Sequence, residues 1–281
     1  MHLTEVTSAD GTRLSVRVSG PADAPPILLI HGWSQHSLSW SRQLSSDLAL
    51  RFRLVAPDLR GCGGSDKPTV PEAYTDAGRW AEDIAAIIEA LALDRPLAVG
   101  WSMGGKVLGD YIAHFGDAAL SGVVLIGSPL VVPPGLEHLR SERVVNERLY
   151  SHDDAEALPA MMEFLRACTA QPLPAEEFAY WTGLNMLCPP DVRRWSRNRA
   201  ADYAVAFAGL TRPAWYLYGD AEEVAAPPIA RASAALLPQV HTIVYPGSGH
   251  APFWEASEVF NADLARIATD AAGRSRKEMR A

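Results

Sequence analysis

The chain is poor in cysteine, has no long apolar run and carries no excess of positive charge. Each shortage removes a class of protein. Cys62, Cys168 and Cys188 are its three cysteines. An odd number without short repeated spacing offers neither a disulfide framework nor a zinc site, so no metal is expected. Reduced thiols in a cytoplasmic protein are the simplest expectation. No stretch reaches the roughly 18 apolar residues needed to span a bilayer. The first eleven residues are polar and lack the apolar core of a secretory signal. Neither membrane association nor export is therefore expected. Basic residues number 25 against 33 acidic ones, a formal net charge of −8. Phosphate binding needs clustered Lys and Arg, so nucleic acid is not the expected partner. The one basic run, Arg274, Arg276, Lys277 and Arg280, closes the chain and reads as a solvated tail.

What remains is an ordinary globular balance, 48% hydrophobic and 21% charged over 281 residues, enough for one α/β core with an insertion. Residues 3–7 and 14–18 read as a hairpin turning at Asp10-Gly11. Residues 26–30 and 52–56 are short apolar runs, as in strands buried on both faces. Further strands are expected at 96–100, 123–126, 214–218 and 242–245. Helices are expected at 75–91, 103–115, 226–236 and 252–267. Strands alternating with helices after a hairpin imply a largely parallel sheet wrapped on both faces. Residues 130–210 break the rhythm. They hold no convincing strand and are rich in helix formers. The expected organisation is a core of 1–129 and 211–281, with 130–210 as a helical cap over the C-terminal edge of the sheet.

The central motif is Gly100-Trp101-Ser102-Met103-Gly104. It follows an apolar strand and opens a helix. Glycines allow the chain to reverse sharply there, leaving the Ser102 hydroxyl exposed above the sheet. The helix N-terminus behind it presents backbone N–H groups and the positive end of a dipole. The N–H of Met103 would face a developing oxyanion. A second donor is assigned to the N–H of Trp33, in the loop after the strand ending His31-Gly32, with His31 as a structural ring holding that loop. Late in the chain, Gly247-Ser248-Gly249-His250 places an imidazole on a loop after a strand. A neutral imidazole can take the serine proton and return it to a leaving group. An acid should lie between nucleophile and base. Asp220, Glu222 and Glu223 compete in one loop. Glu222 is favoured, Asp220 could instead fix the turn, and Glu223 is the reserve. Trp33, Trp101 and Met103, with Phe164 and Trp181 from the insertion, suggest an apolar pocket.

These residues resemble the α/β-hydrolase superfamily over nearly the whole length. The loop Asp58-Leu59-Arg60-Gly61-Cys62-Gly63-Gly64-Ser65 is similar to one in the cofactor-free esterase and perhydrolase (non-haem haloperoxidase) group. His31-Gly32-Trp33, Gly100-Trp101-Ser102, Leu217-Tyr218-Gly219 and His250-Ala251-Pro252-Phe253 look like the pimeloyl-carrier-protein methyl ester esterases. The resemblance implies Ser102 as nucleophile, His250 as base, Trp33 and Met103 as oxyanion donors, and no cofactor. It puts the acid three residues after Gly219, at Glu222, where Asp is usual in relatives, and the proline that normally follows is displaced to Pro227. Relatives with an Asp nucleophile, the dehalogenases and epoxide hydrolases, are disfavoured by serine at the elbow. The expected activity is serine-esterase cleavage of a small or medium acyl or methyl ester, with a small-molecule or carrier-linked substrate. A perhydrolase using the same three side chains, and a non-catalytic ligand-binding protein on the same fold, are the alternatives.

Overall fold

The computed structural model describes residues 1–197, 199 and 202–278, with side chains of the final helix described through residue 273. The basic run from Arg274 to Arg280 lies outside the described side chains. One sheet of eight strands organises the chain: β1 (His2–Thr7), β2 (Arg13–Ser19), β3 (Pro26–Ile30), β4 (Arg53–Pro57), β5 (Leu97–Trp101), β6 (Gly122–Ile126), β7 (Ala214–Gly219) and β8 (His241–Tyr245). Their order across the sheet is β1-β2-β4-β3-β5-β6-β7-β8. β2 runs antiparallel to both neighbours, and every pairing from β4 to β8 is parallel.

The central strands are apolar throughout because both faces are covered. Every residue of β5 and β6 is buried. The edge differs: β8 is buried only at Tyr245. Two helices lead into the site. Helix α1 (Ala77–Ala90) precedes β5, and α2 (Met103–Phe115) follows it directly. The sequence places α1 two residues too early. The Asp76 carboxylate accepts from the N–H of Gly78 at 2.8 Å and caps the helix, while Glu72–Thr75 forms a separate turn.

Between β6 and β7 the chain builds helices α3 (Asp154–Ala167), α4 (Ala175–Met186), α5 (Pro190–Arg197) and α6 (Tyr203–Ala208), with no strand among the described residues. Helix α7 (Pro227–Ala234) separates β7 from β8. The single helix expected over 252–267 is two: a turn at Pro252–Glu255, and after Ala256 the long α8 (Ser257–Glu278). No described helix is long and apolar enough to cross a membrane.

Candidate active site

Strand β5 ends at Trp101, and Ser102 takes φ 53°, ψ −114° before α2 begins. A non-glycine residue there is strained, and surrounding contacts must hold it. The Ser102 N–H donates to the Ile126 carbonyl at the end of β6, 2.8 Å away. The reversal also needs bare backbone. A Cβ on Gly100 would lie 2.6 Å from the Gly104 carbonyl, so strand and helix can approach this closely only without it.

The His250 side is built on β7 and β8. The turn after β7 is laced to the loop after β8 by Asp220 N–H to Tyr245 O (3.2 Å) and Ala221 N–H to Ser248 O (3.0 Å). The Asp220 carboxylate accepts from the Gly247 N–H at 2.7 Å, so it fixes the turn. Glu222 is buried and reaches His250, with Nδ1 to Oε2 at 2.7 Å. Its other oxygen accepts from the N–H groups of Val224 (2.7 Å) and Ala225 (3.0 Å), which locks the carboxylate. Glu223 points to solvent and pairs with Arg143 at 3.6 Å. Of the three competing carboxylates, Glu222 is the one brought to the imidazole. With Nδ1–H donating to Glu222, Nε2 is left as the proton acceptor.

Two contacts bring His250 to the elbow. Trp101, immediately before Ser102, donates its indole N–H to the His250 carbonyl at 2.8 Å, and the two rings stand 5.5 Å apart. Gly127 follows Ile126, the acceptor of the Ser102 amide. A Cβ on Gly127 would sit 2.9 Å from both His250 Nδ1 and Glu222 Oε2. Ser102, Glu222 and His250 thus follow the C-terminal ends of β5, β7 and β8, with Ile126 and Gly127 at the end of β6 between them. This is the edge where parallel α/β sheets hold their ligands.

The loop after β3 is clamped by His31. Its Nδ1–H donates to the Gly32 carbonyl at 2.8 Å, and Nε2 accepts from the Leu59 N–H at 2.9 Å. That pattern needs a neutral ring. Burial favours the same form, holding the pKa at about 4 despite the nearby Asp58 carboxylate. Among the described residues, the N–H groups of Trp33 and Met103 donate to no carbonyl or side chain. The ring of Trp33 is held from the helical segment, where its Nε1–H donates to Arg193 O at 2.9 Å.

A cavity of about 350 Å³ opens over Ser102, with Trp33, Met103 and Phe164 in its wall. Phe164 meets Trp33 edge-on at 5.2 Å. Trp101 and Trp181 lie outside this wall. Trp101 is buried between Trp181 (6.0 Å) and Phe253 (4.8 Å) and stands against His250, while Trp181 packs on Trp101 and on Trp254 (5.0 Å). Sequence reading missed Glu255. Its carboxylate accepts from the N–H of Gly249 at 2.8 Å and of Ala170 at 2.7 Å, joining the histidine loop to the helical segment. It also missed Lys106, Arg140, Arg197 and Arg199, which line the cavity. No spacing in the sequence marks these four as a group. Cys62 and Cys188 sit 3.6 Å apart, one on each side of the boundary between sheet core and helical segment, within reach of a thiol hydrogen bond.

Comparison with known proteins agrees with this fold. A family model described as alpha/beta hydrolase fold matches residues 25–257. The bifunctional esterase/perhydrolase DCH of Acinetobacter calcoaceticus is 28% identical over 292 positions, covering 92% of this chain and 97% of that protein. A non-heme chloroperoxidase of Streptomyces lividans is 34% identical over a shorter stretch, 46% of this chain and 45% of its own. Among solved structures, the esterase RhEst1 from Rhodococcus sp. ECU1013 is 31% identical with a TM-score of 0.88, over 96% of this chain and 99% of its own. A candidate aryl esterase from Burkholderia cenocepacia is 33% identical with a TM-score of 0.91, over 97% and 100%. Full-length likeness to proteins named esterases supports an ester hydrolase. With the model match running from before β3 to beyond β8, the chain belongs to the alpha/beta hydrolase fold family.

Proposed function

We propose that the protein hydrolyses a carboxylic ester through an acyl-enzyme, with Ser102 as nucleophile, His250 as general base and Glu222 as the acid that orients it. The Ser102 oxygen attacks the ester carbonyl while its proton passes to His250 Nε2. The N–H groups of Trp33 and Met103 receive the oxyanion. The bond to the alcohol breaks, and the alcohol leaves with the proton from His250. Water, deprotonated by the same imidazole, releases the carboxylic acid and restores Ser102. Glu222 keeps the imidazole in its Nδ1–H form and stabilises the imidazolium of each step.

The observation that carries this reading is the buried 2.7 Å bond from His250 to Glu222 at the strand ends beside the Ser102 elbow. Residues 130–210 act in it as a cap that covers the nucleophile. The cavity, about 350 Å³, suits a small or medium acyl group. The test is labelling of the folded protein by a fluorophosphonate, located by mass spectrometry, alongside hydrolysis of a p-nitrophenyl ester series. Labelling at Ser102, with turnover lowered at least a thousandfold in Ser102→Ala, is expected. An unlabelled Ser102 in folded protein would favour a ligand-binding role instead.

The name of the Acinetobacter relative gives a second reading specific content. Hydrogen peroxide in place of water at the acyl-enzyme would yield a peracid and free Ser102, with the same groups moving the proton. Peracid formed from ester and peroxide, measured against hydrolysis, separates the two.

A further inference from the structure

Among the described residues, the cavity over Ser102 is lined by four cationic side chains, Lys106, Arg140, Arg197 and Arg199, and by no carboxylate. This stands out in a chain whose net charge is −8. Lys106 lies one turn into α2, on the helix that Ser102 opens. Its ammonium forms no hydrogen bond or ion pair with the described residues, and its contact is the face of the Tyr203 ring, 5.9 Å away. Arg199 pairs through Nη1 with Asp110, behind the cavity wall, at 2.5 Å. Its side chain is 2% exposed, and its Nη2 is buried without an acceptor among the described residues. Arg197 is fixed in place, donating to Val144 O at 2.7 Å and to the Tyr150 hydroxyl at 2.8 Å, with its guanidinium 4.4 Å over the Trp33 ring. Arg140 stands at the exposed rim.

Gathering like charges in a partly dehydrated pocket is unfavourable unless something of opposite sign joins them. The strain shows at Lys106, held down to about 8 by burial and by repulsion from Arg199, Arg197 and Arg140. Asp110 pairs with Arg199 and only partly offsets the charge of Lys106, and among the described residues Arg197 and Arg140 form no ion pair. A buried guanidinium with a spare donor, beside an ammonium with no acceptor, matches the two oxygens of a carboxylate. The apolar wall beside Ser102 would take the carbon chain between that carboxylate and the reacting carbonyl.

We propose that the substrate is an ester bearing a second, unreacted carboxylate, held by Lys106 and Arg199 with Arg197 and Arg140 adding attraction at the mouth. This rests on the serine-hydrolase reading above and names its substrate class. The carboxylate takes no part in bond making. Its binding fixes which end of the molecule meets Ser102, and a positively charged mouth speeds capture of an anion at low salt.

The test compares monomethyl glutarate with methyl valerate, which has a methyl group in place of the carboxylate, by acid release in a pH-stat. We expect kcat/KM for the hemiester at least tenfold above that for the neutral ester, with the advantage shrinking as salt rises. The ratio should fall about tenfold in Lys106→Met and recover in Lys106→Arg. Arg140→Gln, at an exposed position where folding is not at stake, should lower it about threefold through KM. Equal or greater turnover of methyl valerate, or a ratio untouched by both Lys106→Met and Arg140→Gln, would overturn the proposal. Calorimetric titration of Ser102→Ala with glutarate keeps the two readings separate. Glutarate binding weakened by Lys106→Met supports the carboxylate site even where neither ester is turned over, an outcome that would sink only the hydrolytic reading. Binding of inorganic phosphate with none of glutarate would overturn the carboxylate assignment.

Discussion

The sheet and the helical segment between β6 and β7 meet at one cavity but supply it by different means. The sheet side works through backbone. Ser102 is held at φ 53° with its N–H on Ile126, and His250 and Glu222 stand over Gly127, where any side chain would collide with them. The helical side works through side chains. Phe164 and the guanidiniums of Arg197 and Arg199 reach the same space from positions with no common spacing. On the proposed reading the sheet side carries what any ester hydrolysis needs, and the helical side, with Lys106 of α2, shapes which molecule fits.

Substitutions on the two sides should consequently fail in different ways. The largest effect tests the sheet side. Glu222→Gln should lower kcat by two to four orders of magnitude, by analogy with loss of the orienting acid in other triads, roughly 10⁴-fold. Glu223→Gln, at a solvent-facing ion pair, should stay within about twofold. Asp220→Asn should cost less than Glu222→Gln, because that carboxylate acts through the Gly247 turn. A loss in Asp220→Asn exceeding that in Glu222→Gln would reverse the roles given to the two.

His31 offers a stability test of the same side. Its pKa in the folded chain, about 4, lies below the ordinary 6.5, so between these values the unfolded chain binds more protons. Stability must then rise with pH through that window and be lost as pH falls from about 6.5 towards 4, by on the order of 3 kcal/mol. The buried neighbours His36 and Asp58 are both shifted down as well and act in the same direction. Urea unfolding at pH 7 and pH 5 measures this, and a flat profile would contradict the buried neutral clamp.

Gly127→Ala sharpens the contrast, because it adds one methyl group and removes no functional atom. With 2.9 Å to both His250 and Glu222, it should lower kcat about ten- to a hundredfold. The helical side should respond more gently. Phe164→Leu removes apolar wall opposite Trp33 and should raise KM for apolar acyl esters about threefold, with a smaller change in kcat. A kcat loss as large as that of Gly127→Ala would erase the division between the two regions.

The same division explains what could be read from the sequence. The expected strands fall within a residue or two of the observed ones, because short apolar runs bounded by Gly, Pro or charge have one stable home in a sheet covered on both faces. The elbow was legible because a serine between glycines at a strand-to-helix junction answers a steric demand. Glu222 was legible as the favoured of three carboxylates, with Asp220 and Glu223 left open, since sequence does not say which carboxylate a tight loop turns inward. Trp101 and Trp181, expected as pocket residues, lie outside the lining of the cavity over Ser102, because large aromatics mark burial without saying whether a cavity or a core receives them. The start of α1 and the break at Ala256 went unread, the first hidden in an Asp76 cap inside an apolar rhythm that runs on through it. The four cations were illegible for a different reason. Lys and Arg on helices and loops ordinarily face water, and only the fold shows that residues 106, 140, 197 and 199 converge.

Glu255 joins the two regions mechanically. One carboxylate grips the amide just before the imidazole and another amide in the turn that follows α3. A shift of that turn away from the sheet would have to break this grip or drag the neighbouring imidazole along. On the proposed reading, access to Ser102 and the placement of His250 are therefore tied through one side chain.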